Sequence, residues 1–184
     1  MTAKNENRRV RMTKRLMKDA LLELLEKNNL ANISVTAVCE TADVHRSTFY
    51  NYYTDPANLL SEIEKDFLDR IPAPPQVLDQ QNQNTLLEAT TDFFDFIQDN
   101  KKTIRILFNE SSGSNFAVRL VAHLCNGYVP VDGNSDDLTA HFTQQYIANG
   151  AVGMMREWVN SDFPVSSEKI AEMMYTLSRR VSRY

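Results

Sequence analysis

The stretch from Ile33 to Leu60, ISVTAVCETADVHRSTFYNYYTDPANLL, decides the fold. Ser34 offers a side-chain oxygen to a helix start, and Val35, Val38 and Cys39 recur after it at helical spacing, which predicts a helix to about Ala42. Asp43 marks a turn. Asp tolerates a left-handed backbone better than most residues, so the helix stops there and Val44 plugs the angle to the next one. The second helix, HRSTFYNYY from His45, carries one apolar anchor, Phe49. Arg46, Ser47, Thr48, Tyr50, Asn51 and Tyr52 supply donors and acceptors with little apolar area to bury. A helix so short and polar is not stable alone; its neighbours must pin it while its polar face meets something else. Duplex DNA is the natural candidate.

On the amino-terminal side, residues 10–27 are expected to form a first helix whose inner face is Met17, Ala20, Leu21, Leu24 and Leu25, ended by Asn28-Asn29. On the other side, Asp55 as cap and Pro56 at the first helical position start a fourth helix, with Leu59, Leu60, Ile63, Phe67 and Leu68 as its buried stripe. Ile71-Pro72-Ala73-Pro74-Pro75 cannot continue it, and the polar QVLDQQNQN that follows has the composition of a linker. The expected domains are therefore residues 1–70 and 71–184. Beyond the boundary, helical patterns run over Thr85–Asp99, Lys101–Glu110, Phe116–Tyr128, about Asp136–Asn160 and Ser166–Arg180. Gly150 and Gly153 weaken the long helix that holds them and point to a close helix approach, and the last helix shows a stripe of Ile170, Met173, Met174, Leu177 and Val181. With only 5 Gly and 6 Pro, an all-α fold is favoured over sheet.

A chain of 184 residues, 42% hydrophobic and 24% charged, is ordinary for a globular protein. The net charge of −4 hides an asymmetry. Residues 1–18 hold Lys4, Arg8, Arg9, Arg11, Lys14, Arg15 and Lys18 against Glu6, a local +6, which leaves −10 for the remainder. A basic arm running into a helix can neutralise phosphates while the acidic remainder stays clear of them. No run of about 18 apolar residues appears and the amino terminus is polar, so a cytoplasmic protein without a membrane segment is expected. Cys39 and Cys125 are expected to be plain buried thiols.

Enzyme chemistry finds no support. The three histidines, His45, His123 and His141, form no metalloprotease pattern, and neither a Gly-rich phosphate loop nor Gly-x-Ser-x-Gly is present. His123 and Cys125 lie two apart on a helix and point to different faces, and Asp92, Asp95 and Asp99 read as a solvated face. No catalytic residue, metal or cofactor is expected.

The run Ile33-Ser34-Val35, Ala42-Asp43-Val44, Arg46-Ser47-Thr48-Phe49-Tyr50-Asn51-Tyr52-Tyr53 and Leu59-Leu60 resembles the DNA-binding domain of the TetR family of bacterial transcriptional regulators. The segment Gly150–Trp158 with SSEKIAEMMYTLS also resembles the carboxy-terminal domain of a Firmicutes-type branch. Three residues depart from the family pattern: Asp43 stands for the turn Gly, His45 for a Ser, and Pro56 for a phosphate-contacting Lys, which implies weaker nonspecific binding. The resemblance implies a three-helix helix-turn-helix domain followed by a helical ligand-binding and dimerisation domain, paired through its last two helices in a homodimer on a palindromic operator in double-stranded DNA. Arg46 is then expected at a guanine edge, with Thr36, Ser47 and Tyr50 as further base contacts. Ser34, Thr48, Tyr52 and, at the helix start, His45 are expected at phosphates, Asn51 at either, and Phe49 and Tyr53 in packing. The resemblance further implies an effector cavity with Phe93, Phe96, Phe108, Phe116, Tyr128, Met154 and Trp158 as lining candidates, and a repressor released by a small molecule. The alternative is a DNA-binding protein without an effector or controlled by a partner protein, as an activator or a nucleoid-associated protein.

Overall fold

The computed structural model describes residues 3–72, 83–109, 112–127 and 137–181. Among them there is no strand. The order is α1 (Ala3–Leu25), a 3-10 turn (Leu30–Asn32), α2 (Val35–Ala42), α3 (Arg46–Tyr50), α4 (Pro56–Asp69), α5 (Gln83–Asp99), α6 (Lys101–Phe108), α7 (Phe116–Gly127), α8 (Asp137–Asn160) and α9 (Ser167–Val181). The chain is all-α, as its composition predicts. Most of the expected linker, 73–82, lies outside the described residues, as do the break at 129–134 and Tyr128.

Two compact units divide the chain, Met1–Asp69 with Ile106–Ser114, and Arg70–Arg105 with Asn115–Tyr184. In the first, α1 packs on α2 and α4, and α2 on α3. Met17, Leu21, Val38, Phe49 and Leu59 are fully enclosed, so the apolar stripes read from the sequence do meet one another. α1 starts earlier than its apolar periodicity begins, because Lys, Glu and Arg sustain a helix without needing to bury anything.

The stretch after Arg105 belongs to this first unit, although it follows the expected boundary. Ile106, Leu107 and Phe108 are buried. The Ser112 hydroxyl donates to the Asn109 carbonyl at 2.6 Å, and the Ser114 hydroxyl donates to the buried Glu64 carboxylate of α4 at 2.7 Å. Gly113 takes φ 66° and lies so close to Leu30 that an added Cβ would sit 3.4 Å from that side chain. Helical periodicity alone carries no signal of which core a stripe joins.

In the second unit, α9 packs on α5 and α8, and α7 on α8. Phe94, Ile97, Ile104, Phe116, Leu120 and Met155 form its centre. Two expectations change here. Of the α9 stripe only Ile170 is buried, while Met173 and Leu177 stand 43% and 48% exposed, because Ala171 rather than Met173 turns toward the core. At Gly150 and Gly153 an added Cβ would meet nothing within 4 Å among the described residues, so none of these makes the close approach those glycines allow.

Candidate nucleic-acid interface

The turn between α2 and α3 fixes the site. Ser34 caps α2, its hydroxyl accepting the Ala37 amide at 3.1 Å. At the other end Asp43 adopts φ 51° and ψ 50°; its amide donates to the Glu40 carbonyl and that of Val44 to the Cys39 carbonyl, at 3.3 and 3.0 Å. This is the Schellman ending, with Asp in the position glycine usually takes. The departure from the family's turn glycine is thus accommodated by a left-handed backbone that Asp tolerates.

His45 then starts α3 in extended conformation without a side-chain capping bond, and its carbonyl accepts the amides of Thr48 and Phe49. The helix is one and a half turns long. What holds it is Phe49, with no exposed surface and its ring 5.7 Å from that of the buried Tyr53. Burying one such aromatic contributes roughly 1.5–3 kcal/mol, more than a five-residue helix supplies from its own hydrogen bonding.

The remaining side chains of α3 face outward. His45, Arg46, Ser47, Tyr50 and Asn51 are exposed, Thr48 and Tyr52 half-buried, and Ser34 and Thr36 exposed on α2. Arg46 and Tyr50 lie one turn apart, and a hydrogen bond to the Tyr50 side chain raises the Arg46 guanidinium above its ordinary value, so it is a fixed positive charge. Cys39 lies beneath; burial, above all, pushes its thiol up, which keeps it protonated and inert.

The basic arm divides into two groups. Lys18 reaches Glu62 at 2.7 Å and Asp66 at 2.5 Å, and Lys14 reaches Glu62 at 3.2 Å, tying α1 to α4. Lys14 also stands 5.3 Å from the centroid of the Tyr53 ring. Burial draws the Glu62 carboxyl up, but hydrogen bonds from Lys18 and Lys14 outweigh it and hold the group below its ordinary value. Burial likewise opposes the Lys18 charge, and hydrogen bonds to Asp66 and Glu62 outweigh it, leaving the ammonium raised. Two of the seven positive charges read as phosphate ligands are therefore structural, whereas Arg8 and Arg9 are exposed. The partners lie 44 or 48 residues apart, beyond any local pattern; only the matched charges on two predicted amphipathic helices hint at them.

A family model described as transcriptional regulator C-terminal region, TetR_C_8, matches residues 84–180. The chain belongs to the TetR family of transcriptional regulators. A structure from Streptococcus agalactiae described as a TetR transcriptional regulator superposes with a TM-score of 0.72 at 21% identity, covering 96% of this chain and 99% of that one. The dihydroxyacetone kinase operon activator DhaS superposes with a TM-score of 0.61 at 21% identity, over 93% and 96% of the two chains. In sequence, the dhaKLM operon transcriptional activator DhaS of Lactococcus lactis is 35% identical over 77 residues, 41% of each protein. The uncharacterized HTH-type transcriptional regulator YxbF of Bacillus subtilis is 20% identical over 171 residues, 88% of this chain and 43% of its own length. The matches thus span about two fifths of the length of the curated relatives.

Other family expectations find the following places. Among the effector candidates Phe93, Phe116 and Trp158 are buried in the second unit, Phe96 and Met154 half-buried there, Phe108 is buried in the first unit, and Tyr128 is outside the described residues. Trp158 packs edge-on against Phe94, with ring centroids 5.3 Å apart. Among the described residues no group of three His, Cys, Asp or Glu is placed to hold a metal ion, and no helix is long and apolar enough to cross a membrane.

Proposed function

We propose that this TetR-family chain is a homodimeric, sequence-reading repressor in the cytoplasm whose hold on a palindromic operator is released by a small molecule. The observation that carries the DNA half is the outward face of α3, where Arg46, Ser47, Tyr50 and Asn51 are exposed around a single buried anchor, Phe49. Arg46 offers a planar fork matched to the O6 and N7 acceptors of guanine, and Thr36, Ser47 and Tyr50 add base-edge contacts. Ser34, His45, Thr48 and Tyr52 position the duplex at its phosphates, and Asn51 reaches either.

The dimer half rests on α8 and α9. Leu138, Phe142 and Tyr146 follow one another at four-residue intervals on α8, each more than 60% exposed, with Met173 and Leu177 exposed on α9. Phe142, Tyr146, Gly150 and Val181 line one open groove. The occupant best matched to an apolar face of two helices with a glycine in it is the same face of a second copy, giving a four-helix bundle about a two-fold axis. A two-fold dimer presents two recognition helices to half-sites one helical turn or a multiple apart.

Selection of bound duplexes from random DNA at physiological salt, repeated with Arg46→Ala, tests the proposal. The expected result is an enriched palindrome, with the variant losing about 1–3 kcal/mol per half-site and its preference at one base pair. Binding that is salt-sensitive but enriches no sequence would refute it. A second possibility, activation in place of repression, is favoured by the name of one relative, DhaS, a transcriptional activator. Reporter output from the selected operator, with and without the protein, separates the two.

A further inference from the structure

The link between α8 and α9 holds two consecutive non-glycine residues in the left-handed region, Asp162 at φ 61° and Phe163 at φ 57°. Asp is tolerated there; a bulky Phe is an outlier that persists only where its surroundings enforce it. Several contacts enforce it here. The Asp162 amide donates to the Val159 carbonyl at 3.2 Å and the Phe163 amide to the Trp158 carbonyl at 2.9 Å, a second Schellman ending. Trp158 and Phe163 supply its apolar contact, with ring centroids 4.8 Å apart at 83°, and the Trp158 indole donates to the Val165 carbonyl at 2.9 Å. Arg105 of α6 joins both strained residues, with a guanidinium nitrogen paired to the Asp162 carboxylate and its planar carbon 5.3 Å from the Phe163 ring centroid.

We propose that Arg105 is a positioning residue that clasps Asp162 and Phe163 and so sets the placement of α9 against α8. The proposal rests on the dimer described above, because the faces of these two helices must be presented together to a second copy. Either contact alone is small, since Arg105 is 44% and Asp162 83% exposed, and exposed ion pairs and cation–π contacts each contribute little. Their importance is geometric. A Schellman turn without glycine returns to ordinary backbone angles if the clasp is lost, and α9 then leaves the position in which Val181 lines the groove of α8 beside Phe142 and Tyr146.

Two readouts test it on the full chain with Arg105→Ala, Arg105→Lys and the double variant Arg105→Ala/Asp162→Gly. Sedimentation equilibrium gives the dimer dissociation constant, and acrylamide quenching reports the surroundings of Trp158, the sole tryptophan. Arg105→Ala is expected to weaken the dimer about five- to tenfold and to raise quenching, with helicity kept. Arg105→Lys should fall between, keeping the charge and losing the flat fork. The double variant should recover both readouts in part, because glycine holds the first of the two left-handed positions with no clasp while Phe163 keeps the second. A wild-type dimer constant retained in Arg105→Ala, or a loss that Asp162→Gly leaves unrepaired, would overturn the proposal. If the unaltered chain is itself a monomer at micromolar concentration, the dimer fails on its own, and the quenching pattern across the variants still decides for or against the clasp.

Discussion

Asp43 shows how one side chain sets the aim of a recognition helix. Its left-handed backbone turns the chain from α2 into α3, and Asp fills that place with a smaller steric penalty than a residue with no local hydrogen-bonding side chain. The expected order of stability is therefore Asp43→Gly at or above the wild type, and Asp43→Ala lowest, with about 1 kcal/mol between the two variants. Urea unfolding of the three proteins checks it; an alanine variant as stable as the glycine one would mean that this backbone carries no strain. Ser34, Asp43 and Phe49 were all legible in the sequence, because caps, left-handed turns and single apolar anchors act within a few residues. The paired left-handed residues Asp162 and Phe163 were not. Phe carries no local sign of such a conformation, and only its ring contact with Trp158 and the distant Arg105 explain it.

Most inner faces follow from periodicity, the start of α1 and the face of α9 excepted, yet a helix's partners do not, and the α1–α4 contact shows the difference. Lys14 and Lys18 read as part of a DNA-facing arm, whereas the structure joins them to Glu62 and Asp66. Their substitution should accordingly destabilise the first unit and leave the salt dependence of operator binding almost unchanged. Arg8→Ala or Arg9→Ala should instead lower the slope of log affinity against log salt by about 0.9 each, if each neutralises one phosphate. Fluorescence anisotropy at four salt concentrations distinguishes the two groups, and a slope reduced by Lys18→Met would contradict the assignment. The same cluster has a pH signature. Glu62 is depressed in the folded state, so its contribution is present above the unfolded value of about 4.3 and is lost as pH falls through the folded one. Lys18 is raised, so its contribution is complete below about 10.4 and is lost as pH rises through its folded value. Tyr53 acts in the same direction as Lys18, since burial first and the Glu62 charge next hold its phenol well above the ordinary value. The unfolding midpoint should therefore be flat between roughly pH 5 and 10 as far as this cluster is concerned. Glu62→Gln should flatten the acid limb relative to the wild type, and an acid limb unchanged by that substitution would show that other carboxylates dominate it.

At the scale of the whole molecule, the helix-weakening glycines of α8 acquire a reason only when a second copy is considered. Sequence alone suggested a close approach at Gly150 and Gly153, and none of the described residues makes one there. The same helix exposes Leu138, Phe142 and Tyr146, more apolar surface than a helix facing solvent retains without a partner. Gly150 lines the groove beside Phe142 and Tyr146, so a partner helix lying in it would pass directly over the missing Cβ. This gives Gly150→Ala two effects of opposite sign. In the isolated protomer the added methyl meets nothing within 4 Å among the described residues, and alanine is the better helix former by about 0.8–1.0 kcal/mol, so helix stability rises. In the dimer the added methyl holds the two helices apart, and association weakens. Thermal unfolding at nanomolar concentration, where the protomer prevails, should show Gly150→Ala more stable than the wild type, and sedimentation should show it the poorer dimer. Tyr146→Glu, which places a charge on the face without touching the glycine, should weaken the dimer and leave out the gain. If Gly150→Ala strengthened both protomer and dimer, the glycine would lie outside the interface, and the two-fold bundle would have to be built on the Met173 and Leu177 face of α9 instead.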